Sequence, residues 1–130
     1  MHLSRRSALA KIVNANRANL IKWYSFCFSG TSKAAAERLT NIAINKMYID
    51  ERAVPPGNTL KQWVINQSAP QWACRAAFDY LVDAGWQPEN DTEKAIAARY
   101  LVLNNYSINE QWRSCLGDWL KVAIEAKESE

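Results

Sequence analysis

The sequence predicts an all-α protein: one domain over residues 1–130, folded as a compact bundle of about six helices with a frayed tail from about residue 125. Apolar residues recur at helical spacing in most segments, and no segment reads convincingly as a strand. Apolar residues make up 48% of the 130 residues, and six are tryptophan. A chain of this length and composition can bury a sizeable core. Only four glycines and four prolines interrupt it.

The first predicted helix begins near Ser4, which can cap it, and its apolar residues continue to Cys27. Polar residues between positions 14 and 19 interrupt this pattern, so a bend or a break is open there. A turn follows, and Ser32 is then the predicted cap of a second helix that runs to Met47. Its alanine-rich start favours helix and allows another helix to approach closely.

The next connection, residues 49–58, is the least regular part of the sequence and ends in Pro-Pro-Gly. Proline restricts the residue before it to extended geometry, so no helix should run through this segment. Asn58 or Thr59 is expected to cap a short third helix that extends from Leu60 to about Gln67.

Pro70 fits the first turn of a fourth helix, with Ser68 or Ala69 as its cap, and Gly85 should end that helix. A fifth helix begins at residues 90–93, which offer a cap and negative charge, and it ends near Leu103.

Ser107 and Glu110 form a capping-box pattern at the start of a sixth helix. This helix has the clearest apolar stripe in the chain, and we expect it to be the structural spine. A glycine inside it, Gly117, costs about 1 kcal/mol relative to alanine unless close packing requires it. The stripe consists of Ile108, Trp112, Cys115, Leu116, Trp119, Leu120, Ala123 and Ile124.

Charge is distributed unevenly along the chain, although the net charge is only +3. Residues 1–62 hold ten lysines and arginines against three acids, a formal +7, and residues 63–130 hold six against ten, a formal −4. Such asymmetry favours a polyanionic partner for the basic half. A solvated basic face, or attachment to the acidic half of a second copy, would produce the same pattern.

The sequence shows no convergent catalytic or metal site, so we expect a protein that is not an enzyme and has no cofactor. The single histidine is His2, and no glycine-rich phosphate loop occurs. Asp79 and Asp83 are expected to face water or Arg75. The three cysteines lack metal-ligand spacing and are expected to behave as small buried hydrophobes; they are Cys27, Cys74 and Cys115. Without an apolar signal or a membrane span, a cytoplasmic location and no membrane partner are expected.

The short helix after the double proline carries both apolar and polar stripes. Leu60, Trp63 and Val64 form one predicted buried stripe, and the polar side chains fall elsewhere on the surface. A lysine can reach phosphate or guanine, and glutamine or asparagine can bond adenine edges. The helix N-terminus itself favours a phosphate. The polar positions are Thr59, Lys61, Gln62 and Asn66.

Two segments resemble bacterial and phage repressors with a helix-turn-helix. "SKAAAERL", residues 32–39, is similar to their first helix, and "TLKQWVINQSAPQW", residues 59–72, resembles their reading helix. The resemblance implies that Lys33 flanks the first helix and that the four polar positions of the short helix face the DNA groove. Nineteen residues separate Leu39 from Thr59, where the family has only a few, and the family's glycine after the tryptophan is missing.

These observations predict a small regulator of bacterial or mobile-element type that binds double-stranded DNA. We expect it to form a homodimer. Arg5, Arg6 and Lys11 would add phosphate contacts, and the two arginines could also act as a minor-groove arm. The alternative is a helical protein-binding module, an inhibitor, adaptor or assembly factor, anchored by exposed Trp72, Trp86 and Tyr106. An RNA-binding protein is a third, weaker alternative, because no RNA-module signature is present.

Overall fold

The computed structural model describes residues 5–128, and within them it contains eight α-helices and no strands. The all-helical class predicted from the sequence is therefore confirmed, although the predicted count of six is too low. The helices are α1 (Arg5–Asn16), α2 (Asn19–Cys27), α3 (Ser32–Asn45), α4 (Asn58–Asn66), α5 (Gln71–Asp83), α6 (Asp91–Leu103), α7 (Glu110–Leu116) and α8 (Asp118–Glu128).

Two of the predicted helices are each interrupted once, and these interruptions account for the two additional helices. The first predicted helix is interrupted at Arg17 and Ala18, where the sequence left a break open, and this separates α1 from α2. The last predicted helix is interrupted at Gly117, whose φ of 56° and ψ of −132° are not helical. Glycine occupies such a conformation at little cost because it has no Cβ atom. Beyond this break α8 continues to Glu128, past the position where a frayed tail was expected.

Helix caps show where local sequence was informative and where it was not. Asn90 caps α6 as predicted, because its side chain accepts a hydrogen bond from the backbone N–H of Glu93 at 2.9 Å. The other predicted caps are wrong by one or two positions. The observed N-cap residues are Thr31 for α3, Gly57 for α4, Pro70 for α5 and Asn109 for α7. The expected cap of the first helix, Ser4, lies outside the described residues.

The described residues form two compact units, where the sequence predicted one domain. The first unit comprises residues 5–16 and 87–128. In it α6 packs against α1 and α8, and α7 contacts α6 and α8. Four consecutive residues of α6, from Ala95 to Ala98, are fully buried. A helix that is buried on all sides is the centre of its unit, so α6 and not the predicted last helix is the spine here.

The second unit comprises residues 17–86 and contains the segment predicted to read DNA. Its central helix, α5, packs against α2 and α3, and α4 packs against the same two helices. Alanines at positions 73, 76 and 77 of α5 are fully buried and let these neighbours approach closely. The buried hydroxyl of Tyr24 in α2 donates to the carbonyl oxygen of Ala35 in α3 at 2.6 Å. This hydrogen bond fixes the start of α3 beside α2.

Candidate nucleic-acid interface

The predicted DNA-contacting residues are divided between the two units. Arg6 and Lys11 are exposed on α1 in the first unit, and the side chain of Arg5 lies outside the described part of the chain. The other five belong to the second unit, where four are exposed and Thr59 is half-buried. The five, Lys33, Thr59, Lys61, Gln62 and Asn66, lie on α3 and α4 and form the candidate site described here.

The beginnings of α3 and α4 are in direct contact, and Gly57 makes this contact close. A Cβ atom added at Gly57 would lie 2.8 Å from the backbone nitrogen of Lys33 and 2.9 Å from the carbonyl carbon of Ser32. Real Cβ atoms do not approach backbone atoms this closely, so only glycine fits. The contact fixes the start of α4 against the start of α3, and it brings the exposed Lys33 and Lys61 into the same part of the unit.

The exposed side of α4 separates into two stripes. Successive residues of a helix are rotated by about 100°. Lys61 and Ile65 therefore lie together on one stripe, and Gln62 and Asn66 lie together on the next. Leu60 is buried on the opposite side of the helix. The predicted exposure of Lys61, Gln62 and Asn66 is confirmed, whereas Trp63 and Val64, predicted to be buried, are half-buried.

Within residues 5–128, acidic residues occupy the first turn of three of the four helices of the first unit, α1 being the exception, and of no helix of the second unit. In the first unit, α6, α7 and α8 each carry an acidic residue in the first turn. The first turns of α2 to α5, all within the described residues, contain no acidic residue. Acidic side chains compensate the partial positive charge of a helix start. The starts of α3 and α4 keep that positive charge, and Lys33 and Lys61 add to it.

The long connection between α3 and α4, residues 46–57, is held by aromatic and charged side chains. The guanidinium of Arg52 lies 5.1 Å from the ring centroid of Trp72. The hydroxyl of Tyr48 donates to the carboxylate of Asp79 on α5, and the guanidinium of Arg75 lies 3.9 Å from the Tyr48 ring centroid. All three contacts join the connection to α5, on which Trp72, Arg75 and Asp79 lie.

Asp79 is a correction to the sequence analysis, which placed it on the outer face of its helix with Asp83. Asp83 is exposed, but Asp79 is only 3% exposed. Burial, followed by the hydrogen bond to Asp79, raises the pKa of Tyr48 well above the usual range of a tyrosine. The tyrosine hydroxyl therefore keeps its proton and donates a hydrogen bond to the carboxylate. The pair holds the connection in place.

The prediction that all three cysteines are buried is correct for only one of them. Cys74 is buried as expected, and its thiol donates to the carbonyl oxygen of Arg17 at 3.5 Å. Cys115 is half-buried, and Cys27, at the end of α2, is exposed. Among the described residues, no group of three or more histidine, cysteine, aspartate or glutamate side chains is placed to hold a metal ion.

The aromatic residues named as anchors of the alternative are half-buried. Trp86 stacks on Trp23 with ring centroids 5.3 Å apart, and Trp72 meets Trp63 edge to face at 5.8 Å. Tyr106 follows α6, and its backbone N–H donates to the carbonyl oxygen of Leu101 at 2.9 Å. The two tryptophans thus contribute ring surface to packing within the second unit.

A second surface feature lies next to the candidate site and was not predicted. A groove of about 680 Å³ runs between the end of α2, the turn before α3 and the Lys61–Ile65 stripe of α4. Phe26 and Ile65 line it and are 79% and 61% exposed. Phe26 lies two positions after Tyr24, the last buried residue of α2, and so on the opposite side of the helix.

Comparison with protein-family models, curated proteins and solved structures returned no match to this chain. No helix within residues 5–128 is long and apolar enough to cross a bilayer.

Proposed function

We propose that this chain is a small non-enzymatic DNA-binding regulator that uses α4 as its reading helix. The observation that carries the proposal is the fixed start of α4 against α3, with Lys61, Gln62 and Asn66 exposed along α4. A reading helix lies in the major groove and contacts base edges with exposed side chains near its N-terminal end. The helix α4 exposes Lys61, Gln62 and Asn66 for such contacts, beside the apolar Ile65.

Each residue has a defined role in this proposal. Lys33 and Lys61 contact phosphates on either side of the α3–α4 contact, and the helix starts add positive charge there. Gln62 and Asn66 project from one stripe of α4, so their amides can reach adjacent base edges in the major groove, where an amide pairs with adenine. Thr59 lies at the half-buried margin of this stripe and can contact a phosphate or a thymine methyl group.

Fluorescence anisotropy with duplexes selected from a random-sequence pool tests the proposal. We expect selection to enrich a defined sequence, with affinity that falls steeply as salt rises. The double substitution Gln62→Ala and Asn66→Ala should remove the sequence preference and retain weak salt-sensitive binding. Lys61→Ala should weaken binding to all duplexes and reduce the slope of log K against log salt by about one.

Matched controls are available on exposed helix surfaces of the first unit. Gln111→Ala on α7 and Lys121→Ala on α8 remove the same chemical groups from helices of the other unit and should leave affinity and preference unchanged. The absence of any binding at low salt would refute DNA binding itself. Retention of the full sequence preference by the Gln62/Asn66 variant would refute the role of α4.

A further inference from the structure

The groove beside α4 brings together two large apolar side chains of the second unit that are exposed, Phe26 and Ile65. Its floor includes Leu60, which is buried, and Val64, which is half-buried, and its margins carry the exposed Phe26 and Ile65. Two large apolar side chains that remain mostly exposed and share one concave surface are typical of an interaction site. A side chain that only completes the core would be covered by its own unit.

The charge of the groove restricts what can occupy it. Lys22 of α2 and Lys61 of α4 are both exposed and both line it, and Lys33 follows directly on a lining residue, Ser32. Among the described residues that line the groove, none is acidic. An occupant must therefore bring apolar side chains to the floor and negative charge to the margins.

The concave shape favours a protein segment over the other anionic partners. Duplex DNA supplies phosphates for the lysines, but it has no apolar side chains to reach Leu60 and Val64. An anionic membrane surface is apolar and negatively charged, but it covers protruding residues and leaves a recessed floor unfilled. An amphipathic helix fills such a groove with side chains at positions i, i+3, i+4 and i+7.

We propose that this groove binds an amphipathic helical segment of a partner protein, with acidic residues flanking its apolar stripe. Phe26 and Ile65 contact the apolar stripe from both sides, and Lys22 and Lys61 pair with the flanking carboxylates. The proposal does not depend on DNA binding, because Phe26, Ile65 and Lys22 have no proposed DNA contact; Lys61 is the one residue that both proposals use. The anchors expected from the sequence, Trp72, Trp86 and Tyr106, are not among the residues that line this groove.

A displayed peptide library tests this proposal on the protein of residues 1–130. The library fixes leucine at i, i+3, i+4 and i+7 and lets each flanking position be glutamate, lysine, glutamine or serine. Selection on the unmodified protein should enrich glutamate at the flanks. The best peptide should bind about tenfold more weakly to Phe26→Ala and to Ile65→Ala, because such anchors carry much of the affinity.

The matched control is Met47→Ala, which removes an apolar side chain that is 88% exposed and is not part of the groove lining. Its affinity for the selected peptide should equal that of the unmodified protein. Selection repeated on the double variant Lys22→Glu and Lys61→Glu should enrich lysine at the flanks, a reversal that unfolding could not produce.

Three results would overturn the proposal. The first is a selection that yields no binder, or binders without acidic enrichment. The second is equal loss of affinity in the Phe26, Ile65 and Met47 variants. The third is binding of the protein to vesicles of anionic lipid, or association with a second copy of itself, that Phe26→Ala abolishes while peptide binding is unaffected.

Discussion

At the residue scale, the contact between Tyr48 and Asp79 is the clearest case of a role that local sequence does not reveal. Asp79 and Asp83 are four residues apart on α5 and should share one face. Asp79 is nevertheless buried and accepts a hydrogen bond from Tyr48, 31 positions earlier, whereas Asp83 is exposed. A partner so distant in sequence leaves no periodic signal. The sequence therefore predicted helix α5 correctly, but it predicted the wrong environment for Asp79.

The substitution Tyr48→Phe should lower the free energy of unfolding by about 1.5 kcal/mol or more at neutral pH, because it removes a hydrogen bond to a buried carboxylate. The pKa of Tyr48 is raised in the folded protein. Its stabilising effect is therefore complete below the unfolded value of 10.0 and is lost as the pH rises beyond it. The difference in the free energy of unfolding between the parent protein and the Tyr48→Phe variant should therefore narrow above about pH 10.

Urea unfolding at several pH values measures both effects. Tyr80→Phe is the control, because the structure shows ring contacts for the half-buried Tyr80 and no hydrogen bond from its hydroxyl within residues 5–128. It should change stability much less at neutral pH. A Tyr48→Phe variant as stable as the parent would contradict the role given to this hydrogen bond.

At the scale of elements, most helices were foreseeable and several of their ends were not. The Asn90 cap and the end of α6 followed from the sequence because both depend on neighbouring residues. The start of α4 depends instead on a contact with another helix. Asn58 and Thr59 are good caps in isolation, but Gly57 takes the N-cap position against the start of α3. The close contact of Gly57 with α3 is a tertiary feature that local preference does not predict.

The substitution Gly57→Ala should lower the free energy of unfolding by about 1–3 kcal/mol, because the added methyl group meets backbone atoms that cannot rotate away. Alanine adopts the φ of −57° at position 57 without backbone strain, so the expected loss of stability comes from the steric clash alone. Asn58→Ala, at the next position and exposed, is the control and should be close to neutral. Thermal unfolding followed by circular dichroism compares the three proteins. Equal melting temperatures would show that α4 can move away from α3 at no cost.

At the scale of the whole molecule, the charge asymmetry of the sequence does not coincide with the units of the fold. The basic half, residues 1–62, contributes α1 to one unit and α2 to α4 to the other. The second unit holds eight lysines and arginines against five acids, whereas residues 5–16 and 87–128 hold eight against seven. A sum along the chain ignores where the chain leaves one unit and enters another, so it overstated the contrast.

The two units predict different behaviour for fragments. Residues 17–86 are continuous in sequence and contain their own core, so this fragment should fold alone and retain the DNA binding proposed for α4. Residues 87–130 lack α1, which packs against both α6 and α8, and should lose well-dispersed amide signals in an NMR spectrum. Adding residues 1–16 as a separate peptide should restore them. A disordered 17–86 fragment would contradict the independence of its core.

The first unit consists of two segments that the second unit separates in sequence, and this order affects how the protein folds during synthesis on the ribosome. Its helix α1 precedes the second unit in sequence, and the helices against which it packs, α6 and α8, follow that unit. During synthesis, every helix of the second unit leaves the exit tunnel before α6 and α8 do. The nascent chain can thus complete the second unit while α1 still lacks the helices against which it packs.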